Sequence, residues 1–164
     1  MVNPIEPRSP DSYRSLVKDV ELALLSEIGA RAVFDHIARR SQDADLGRMA
    51  EGMNREGIDL VARVQELIRE MGGRPRKTSF RRRALARLLV RGAPIIGPRR
   101  ILRIVRDAES TVGRWYAEYA LFLVRLGDEE RALAFEELRA AKERRAMALS
   151  AWVDNLARAR QRTF

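Results

Sequence analysis

Apolar side chains recur every three to four residues over four long stretches of this chain, which is the spacing of one buried face on an α-helix. A polar turn at 41–43 and the Gly127-Asp128 pair are short enough to join the stretches into two hairpins. The pattern therefore predicts an all-α protein with four helices, at about 10–40, 43–71, 98–126 and 128–160.

Each predicted helix has a row of residues expected to face the interior of a bundle. The first helix has two such rows, Tyr13, Val20, Glu27, Phe34 and Leu16, Ala23, Ala30, Ile37. The row of the second helix is Leu46, Met53, Leu60, Leu67, and that of the third is Leu102, Glu109, Tyr116, Leu123. The row of the fourth helix is Leu133, Ala140, Met147, Val153, with Glu136 and Glu143 on the same face.

The segment 72–97 separates the two hairpins and differs from them in composition. Gly72-Gly73 opens it, and Gly97-Pro98 closes it. From residue 72 to 106 the chain has twelve Lys and Arg residues and no acid, so the rest of this +9 chain sums to −3. Because two hairpins joined by one long connection form the ferritin-like topology, we predict a ferritin-like antiparallel four-helix bundle with a basic crossover.

Length and composition restrict the classes of protein. A chain of 164 residues is predicted to form one domain, 1–164, that buries a substantial core. It has no cysteine and only one histidine, His36, which excludes disulfides, thiolate metal sites and multi-histidine sites. No apolar run is long enough to span a membrane, and the N-terminus lacks a signal pattern, so a cytoplasmic protein is expected.

Glutamates within the inward rows are the main candidates for chemistry. An ionised carboxylate in a core costs several kcal/mol unless it is paired or coordinated. Glu27 precedes Phe34 by seven residues, as Glu109 precedes Tyr116. This repetition indicates a weak internal duplication, one unit for each hairpin.

These residues resemble the ferritin-like superfamily, closest to the rubrerythrin type of di-iron carboxylate bundle. There a glutamate precedes an aromatic residue by seven, and a Glu-x-x-His follows on the next helix. The corresponding elements here are Glu56-x-x-Asp59 and Glu143-x-x-Ala146, so both histidines are missing. The resemblance implies a degenerate metal site that binds iron or manganese through oxygen ligands. Its candidate ligands are Glu27, Glu56, Asp59, Glu109 and Glu143.

The alternative to a metal is an ion-pair core. Arg31 lies one helical turn after Glu27, and Arg139 lies one turn before Glu143, so either could neutralise a carboxylate. The sequence leaves the choice between the two open, and with it whether the protein is an enzyme.

The crossover predicts a second functional surface. A short amphipathic helix there would present arginines beside leucines, which suits an anionic membrane surface. The position is loosely similar to the membrane-approaching region of demethoxyubiquinone hydroxylase. An acidic protein partner and a simple cap on the bundle are alternatives, whereas nucleic acid is disfavoured because the segment has one aromatic residue, Phe80. The residues of this candidate surface are Arg81, Arg82, Arg83, Arg87, Arg91, Leu85, Leu88 and Leu89.

We therefore expect a bundle with a degraded carboxylate site that binds or docks without catalysis, peripheral at the inner face of the membrane or on a larger assembly. The alternative is a di-iron or manganese oxidase or hydroxylase of the rubrerythrin-like type. A homodimer is compatible with this class of bundle.

Overall fold

The computed structural model describes residues 10–75 and 97–161. This part of the chain forms four helices and no strand, which confirms the all-α prediction. The crossover candidates Arg81, Arg82, Arg83, Arg87, Arg91, Leu85, Leu88 and Leu89 lie outside the described residues. The helices are α1 (Pro10–Arg40), α2 (Ala44–Glu70), α3 (Pro98–Arg125) and α4 (Glu129–Gln161).

Local sequence signals set the helix ends. The Asp43 side chain accepts hydrogen bonds from the backbone N–H groups of Asp45 and Leu46, at 2.9 and 3.1 Å, and so caps α2. Gly72 and Gly127 follow α2 and α3 with φ of 80° and 70°, a left-handed conformation that glycine adopts without steric cost. Pro98 begins α3, where its missing N–H would have no helical partner.

The apolar core consists of two clusters, each with residues from all four helices. The first cluster includes Leu24 of α1, Leu67 of α2, Leu123 of α3 and Phe135 of α4. The second includes Phe34 of α1, Met53 of α2, Leu102 of α3 and Leu149 of α4. The four helices therefore pack around a common axis, with the first cluster nearer the start of α1 and the second nearer its end.

The buried face of α4 differs from the predicted one. Leu133 and Met147 are 63% and 72% exposed and Ala140 is half-buried, so Val153 is the one buried residue of the row assigned to this helix. Phe135, Leu138 and Leu149 are buried instead, on the same face as Lys142 and Arg145. The prediction was wrong because it followed apolar residues only, whereas the buried face of α4 includes two cations.

None of the helices in the described ranges is both long enough and apolar enough to cross a lipid bilayer.

Candidate functional site

Four charged side chains meet in the interior of the bundle and form what we call the buried charge cluster: Glu27 of α1, Glu109 of α3, and Lys142 and Arg145 of α4. Each is at most 2% exposed. Along every one of these helices the cluster lies between residues of the first apolar cluster and residues of the second. The charges therefore form a polar layer that divides the core in two.

Lys142 connects the two buried glutamates. Its ammonium donates hydrogen bonds to Oε2 of Glu27 and, at 2.8 Å, to Oε2 of Glu109. Gly113 of α3 is buried at this level, and a β-carbon there would lie 3.3 Å from the Lys142 β-carbon. The absence of a side chain at Gly113 thus lets α4 approach α3 closely enough for Lys142 to reach both acids.

Arg145 extends the cluster to α3 and α2. Its guanidinium donates from Nε to Oε2 of Glu109 at 2.9 Å and from Nη2 to Oε1 at 3.3 Å, a bidentate pair. Nη1 donates to the Met53 carbonyl at 2.9 Å and to Oε2 of Glu56 at 3.1 Å. The guanidinium carbon also lies 5.2 Å from the centre of the Phe34 ring. A single side chain therefore contacts all three neighbouring helices.

Tyr116 completes the surroundings of Glu27, because its hydroxyl donates to Oε1 at 2.8 Å. Burial, together with the neighbouring Glu109 carboxylate, raises the pKa of Glu27 above its ordinary value of 4.5, although the Lys142 ammonium and the two hydrogen bonds lower it. Burial and the Glu27 carboxylate hold the pKa of Tyr116 well above its ordinary value of 10.0. Tyr116 therefore stays a protonated donor.

The guanidinium of Arg145 also stays charged. Burial alone would lower the pKa of Arg145, but the nearby carboxylates, Glu109 foremost, outweigh it and raise the pKa above its ordinary value. The cluster is thus a compensated arrangement of charges, in which both oxygens of each buried glutamate have a donor.

The predicted metal ligands occupy different surroundings. Glu27 and Glu109 come together, and Glu56 reaches them through Arg145 with its side chain 41% exposed. Asp59 lies on the exposed face of α2. Glu143 is 57% exposed and lines an open groove of about 780 Å³ between α3 and α4 with Arg139 and Met147.

The residues around Glu27 and Glu109 do not fit a metal ion. The space between the two carboxylates is filled by the Lys142 ammonium, and the Arg145 guanidinium covers Glu109 from the other side. A divalent cation there would be repelled by both side chains. Within residues 10–75 and 97–161, no group of three or more His, Cys, Asp or Glu side chains is placed to hold a metal ion.

The ion-pair alternative is right in part: Arg139 does pair with Glu143, but at the surface, and the cations that neutralise the buried carboxylates are Lys142 and Arg145. Arg31 donates to Oδ1 of Asn54 at 3.4 Å instead of pairing with Glu27. Arg139 pairs with Glu136 and Glu143 on the outside of α4. The sequence signal that identifies the true partners is a Lys-x-x-Arg spacing, three residues apart on one helix face, in phase with Leu138 and Leu149.

A third buried acid lies outside this cluster, at the end of the bundle where α1 begins. Asp128, which directly precedes α4, accepts hydrogen bonds from the Tyr13 hydroxyl at 2.6 Å and from Nη1 of Arg131 at 2.5 Å. Burial would raise the pKa of Asp128, but the hydrogen bonds from Tyr13 and Arg131 outweigh it and hold the pKa below its ordinary value of 3.8. This acid ties the start of α1 to the turn between α3 and α4.

Comparison of the chain with protein-family models, with curated proteins and with solved structures found no match.

Proposed function

We propose that this protein is a metal-independent, non-catalytic bundle of ferritin-like architecture that docks on an anionic membrane surface through its basic crossover. The observation that carries the proposal is the position of Lys142 and Arg145, whose charges lie between and against the buried carboxylates of Glu27 and Glu109. These cations supply inside the protein the positive charge that a metal would otherwise supply, so the polar core is complete without a cofactor.

Contacts between the helices support the ferritin-like arrangement. Tyr13 meets Asp128 and Glu27 meets Lys142, so contacts between α1 and α4 advance together along both helices. Contacts between α2 and α4 run in opposite directions, because Glu56 meets Arg145 and Glu70 meets Arg131. The end of α2 and the start of α3 would then lie at opposite ends of the bundle, which requires a connection along its length.

The sequence of the crossover supports the docking role. Arg81, Arg82 and Arg83 precede Leu85, Leu88 and Leu89, and the segment from 72 to 106 has no acid. Each basic residue near an anionic bilayer contributes about 1 kcal/mol of attraction, and interleaved leucines add burial in the interface.

Metal analysis of the purified full-length protein tests the first part of the proposal. Protein incubated with ferrous iron or Mn²⁺ and desalted is expected to retain far less than one metal per chain. Its thermal unfolding temperature is expected to be the same with added metal and with a chelator, because a ligand that binds only the folded state would raise it. Retention of about two irons per chain with a raised unfolding temperature would instead support the di-iron oxidase.

Vesicle binding tests the second part. The protein is expected to sediment with phosphatidylcholine vesicles that contain phosphatidylglycerol, to ignore pure phosphatidylcholine, and to dissociate as salt is raised. Replacement of Arg81, Arg82 and Arg83 by Gln should weaken binding and flatten the salt dependence. Binding to duplex DNA with no binding to anionic vesicles would replace the membrane by nucleic acid.

A further inference from the structure

The two ends of the bundle differ in charge. At the end where α1 finishes and α3 begins, arginines accumulate on three helices, and we call this surface the basic end: Arg39, Arg40, Arg99, Arg100, Arg103 and Arg158. Ile37, Leu46, Ile101 and Val153 belong to one apolar cluster, so these helix ends adjoin each other in space. The arginines therefore act together on whatever approaches that end.

The arginines of the basic end are largely uncompensated. Among the described residues, Arg40, Arg100 and Arg103 form no ion pair, and all three are exposed. At the opposite end Arg63 pairs with Glu66 and Glu70, while acids dominate the start of α4. Lys18 and Arg69 are exposed there without an ion pair to another described residue, but the acids of that end offset their charge, so the excess of positive charge lies at the basic end.

The start of α3 adds to this field. Backbone N–H groups at a helix N-terminus carry partial positive charge, which acidic side chains usually offset. The first turn of α3 has no acid, its N-cap Gly97 offers no side chain, and Arg99 and Arg100 add like charge. Ile104, 44% exposed, follows Arg103 on the outer surface of the same helix. Positive charge beside an exposed isoleucine suits the boundary between lipid headgroups and acyl chains.

We infer that the bundle stands upright on an anionic phospholipid bilayer, with its basic end, where the crossover joins α3 at Gly97, against the headgroups; this inference rests on the membrane docking proposed above. Charge complementarity identifies the partner as anionic. The aromatic residues described at this end favour lipid over nucleic acid, because Phe34 is buried and Trp152 packs against the core instead of offering a stacking surface.

Two charge-matched variants test the surface. The basic-end variant replaces Arg40, Arg100 and Arg103 by Gln. The control replaces Lys18, Arg69 and Arg125 by Gln; these residues are also exposed, but they belong to the opposite end and lie outside the crossover. At about fivefold per arginine, the basic-end variant is expected to bind phosphatidylglycerol vesicles roughly a hundredfold more weakly, and the control much less so. Circular dichroism checks that both keep their helicity.

Energy transfer to labelled lipid tests the orientation. Because the chain has no cysteine, Ala151→Cys near the basic end and Ser15→Cys near the other end each give one labelling position. The two levels differ by about 30 Å at 1.5 Å per residue. We expect a donor at position 151 to transfer energy to a headgroup acceptor much more strongly than a donor at position 15.

The outcomes separate this inference from the docking proposal. Equal transfer from both positions, or equal weakening in both charge variants, would overturn the upright orientation while vesicle binding itself remained. If the unmodified protein ignores anionic vesicles, or binds only DNA or an acidic protein, both proposals fail.

Discussion

The ammonium of Lys142 contacts both buried glutamates, and its removal would leave two carboxylates close together without that cation. Sequence reasoning identified Glu27 and Glu109 because each interrupts an apolar row, and both are buried as expected. It missed Lys142 and Arg145 because a run such as Lys-Glu-Arg-Arg reads as a solvated surface. Nothing within a single helix shows that two of its cations point inward to meet acids on another.

Replacement of Lys142 by Met is expected to destabilise the fold by about 3–5 kcal/mol at neutral pH, because it leaves buried charge uncompensated. The pH dependence has a definite sign. The pKa of Glu27 is already raised, so its contribution to stability is complete below the ordinary value of 4.5 and is lost as pH rises through the folded-state pKa. Loss of the Lys142 ammonium raises the pKa of Glu27 further, so the stability of the variant falls more steeply as pH rises.

Urea unfolding of this variant at several pH values between 5 and 8 measures the effect. Arg139→Met is the matched control, since it removes a cation whose partners, Glu136 and Glu143, are at the surface. The control should change little at any pH. Equal urea midpoints for the Lys142 variant and the unmodified protein at pH 7 would show that Lys142 does not neutralise the cluster.

Asp128 should show the opposite pH dependence. Its pKa is lowered, so its stabilising contribution is complete above the ordinary value of 3.8 and is lost as pH falls through the folded-state pKa. Asp128→Asn is expected to cost about 1–2 kcal/mol at pH 7, because two hydrogen bonds lose a charged acceptor. The difference in unfolding free energy between variant and parent should shrink as pH is lowered from 6 to 2.5. A difference that does not change with pH would show that the charge of Asp128 is immaterial.

At the scale of the helix, sequence signals that act within a few residues predicted the helix ends correctly. The buried face of α4, which depends on the neighbouring helices, was predicted wrongly. Asp43, Gly72, Pro98 and Gly127 each mark a helix end through local backbone chemistry, and the structure has helix ends at these points. The inward rows of the first three helices are likewise confirmed by burial, apart from Ala30, which is half-buried. The inward row predicted for α4 was wrong because the buried face of this helix depends on its contacts with Glu27 and Glu109, which lie on other helices.

Two glycines of α2 give a prediction for the helix itself. A β-carbon at Gly52 would meet nothing within 4 Å, whereas one at Gly57 would lie 2.7 Å from Cγ of Arg31. Gly52→Ala is therefore expected to raise the free energy of unfolding by about 1 kcal/mol, the difference between glycine and alanine in a helix interior. Gly57→Ala should gain less or lose stability, because Arg31 must move away. Thermal unfolding of the two variants measures the difference, and identical shifts would contradict the packing of Arg31 against α2.

At the scale of the whole molecule, the pairings that complete the core join distant parts of the chain. Arg145 meets Glu109 across 36 positions and the Met53 carbonyl across 92. Periodicity cannot reveal such pairings, because it reports only which face of each helix is turned inward. The ion-pair interpretation therefore named the right kind of interaction for the core. It assigned to each acid a cation of the same helix, however, and ion pairs within one helix are commonly exposed.

The polar layer between the two apolar clusters has a consequence for how the helices align. Leucines and alanines repeated at even intervals fit nearly as well after a helix has slid by one turn, so an entirely apolar bundle tolerates several registers. A slide of α4 by one turn would move Lys142 away from Glu27 and Arg145 away from Glu109, so these four buried charges would lose their ion pairs. We therefore expect the polar layer to favour one alignment of α4 against α1 and α3 over the others that the apolar residues alone would permit.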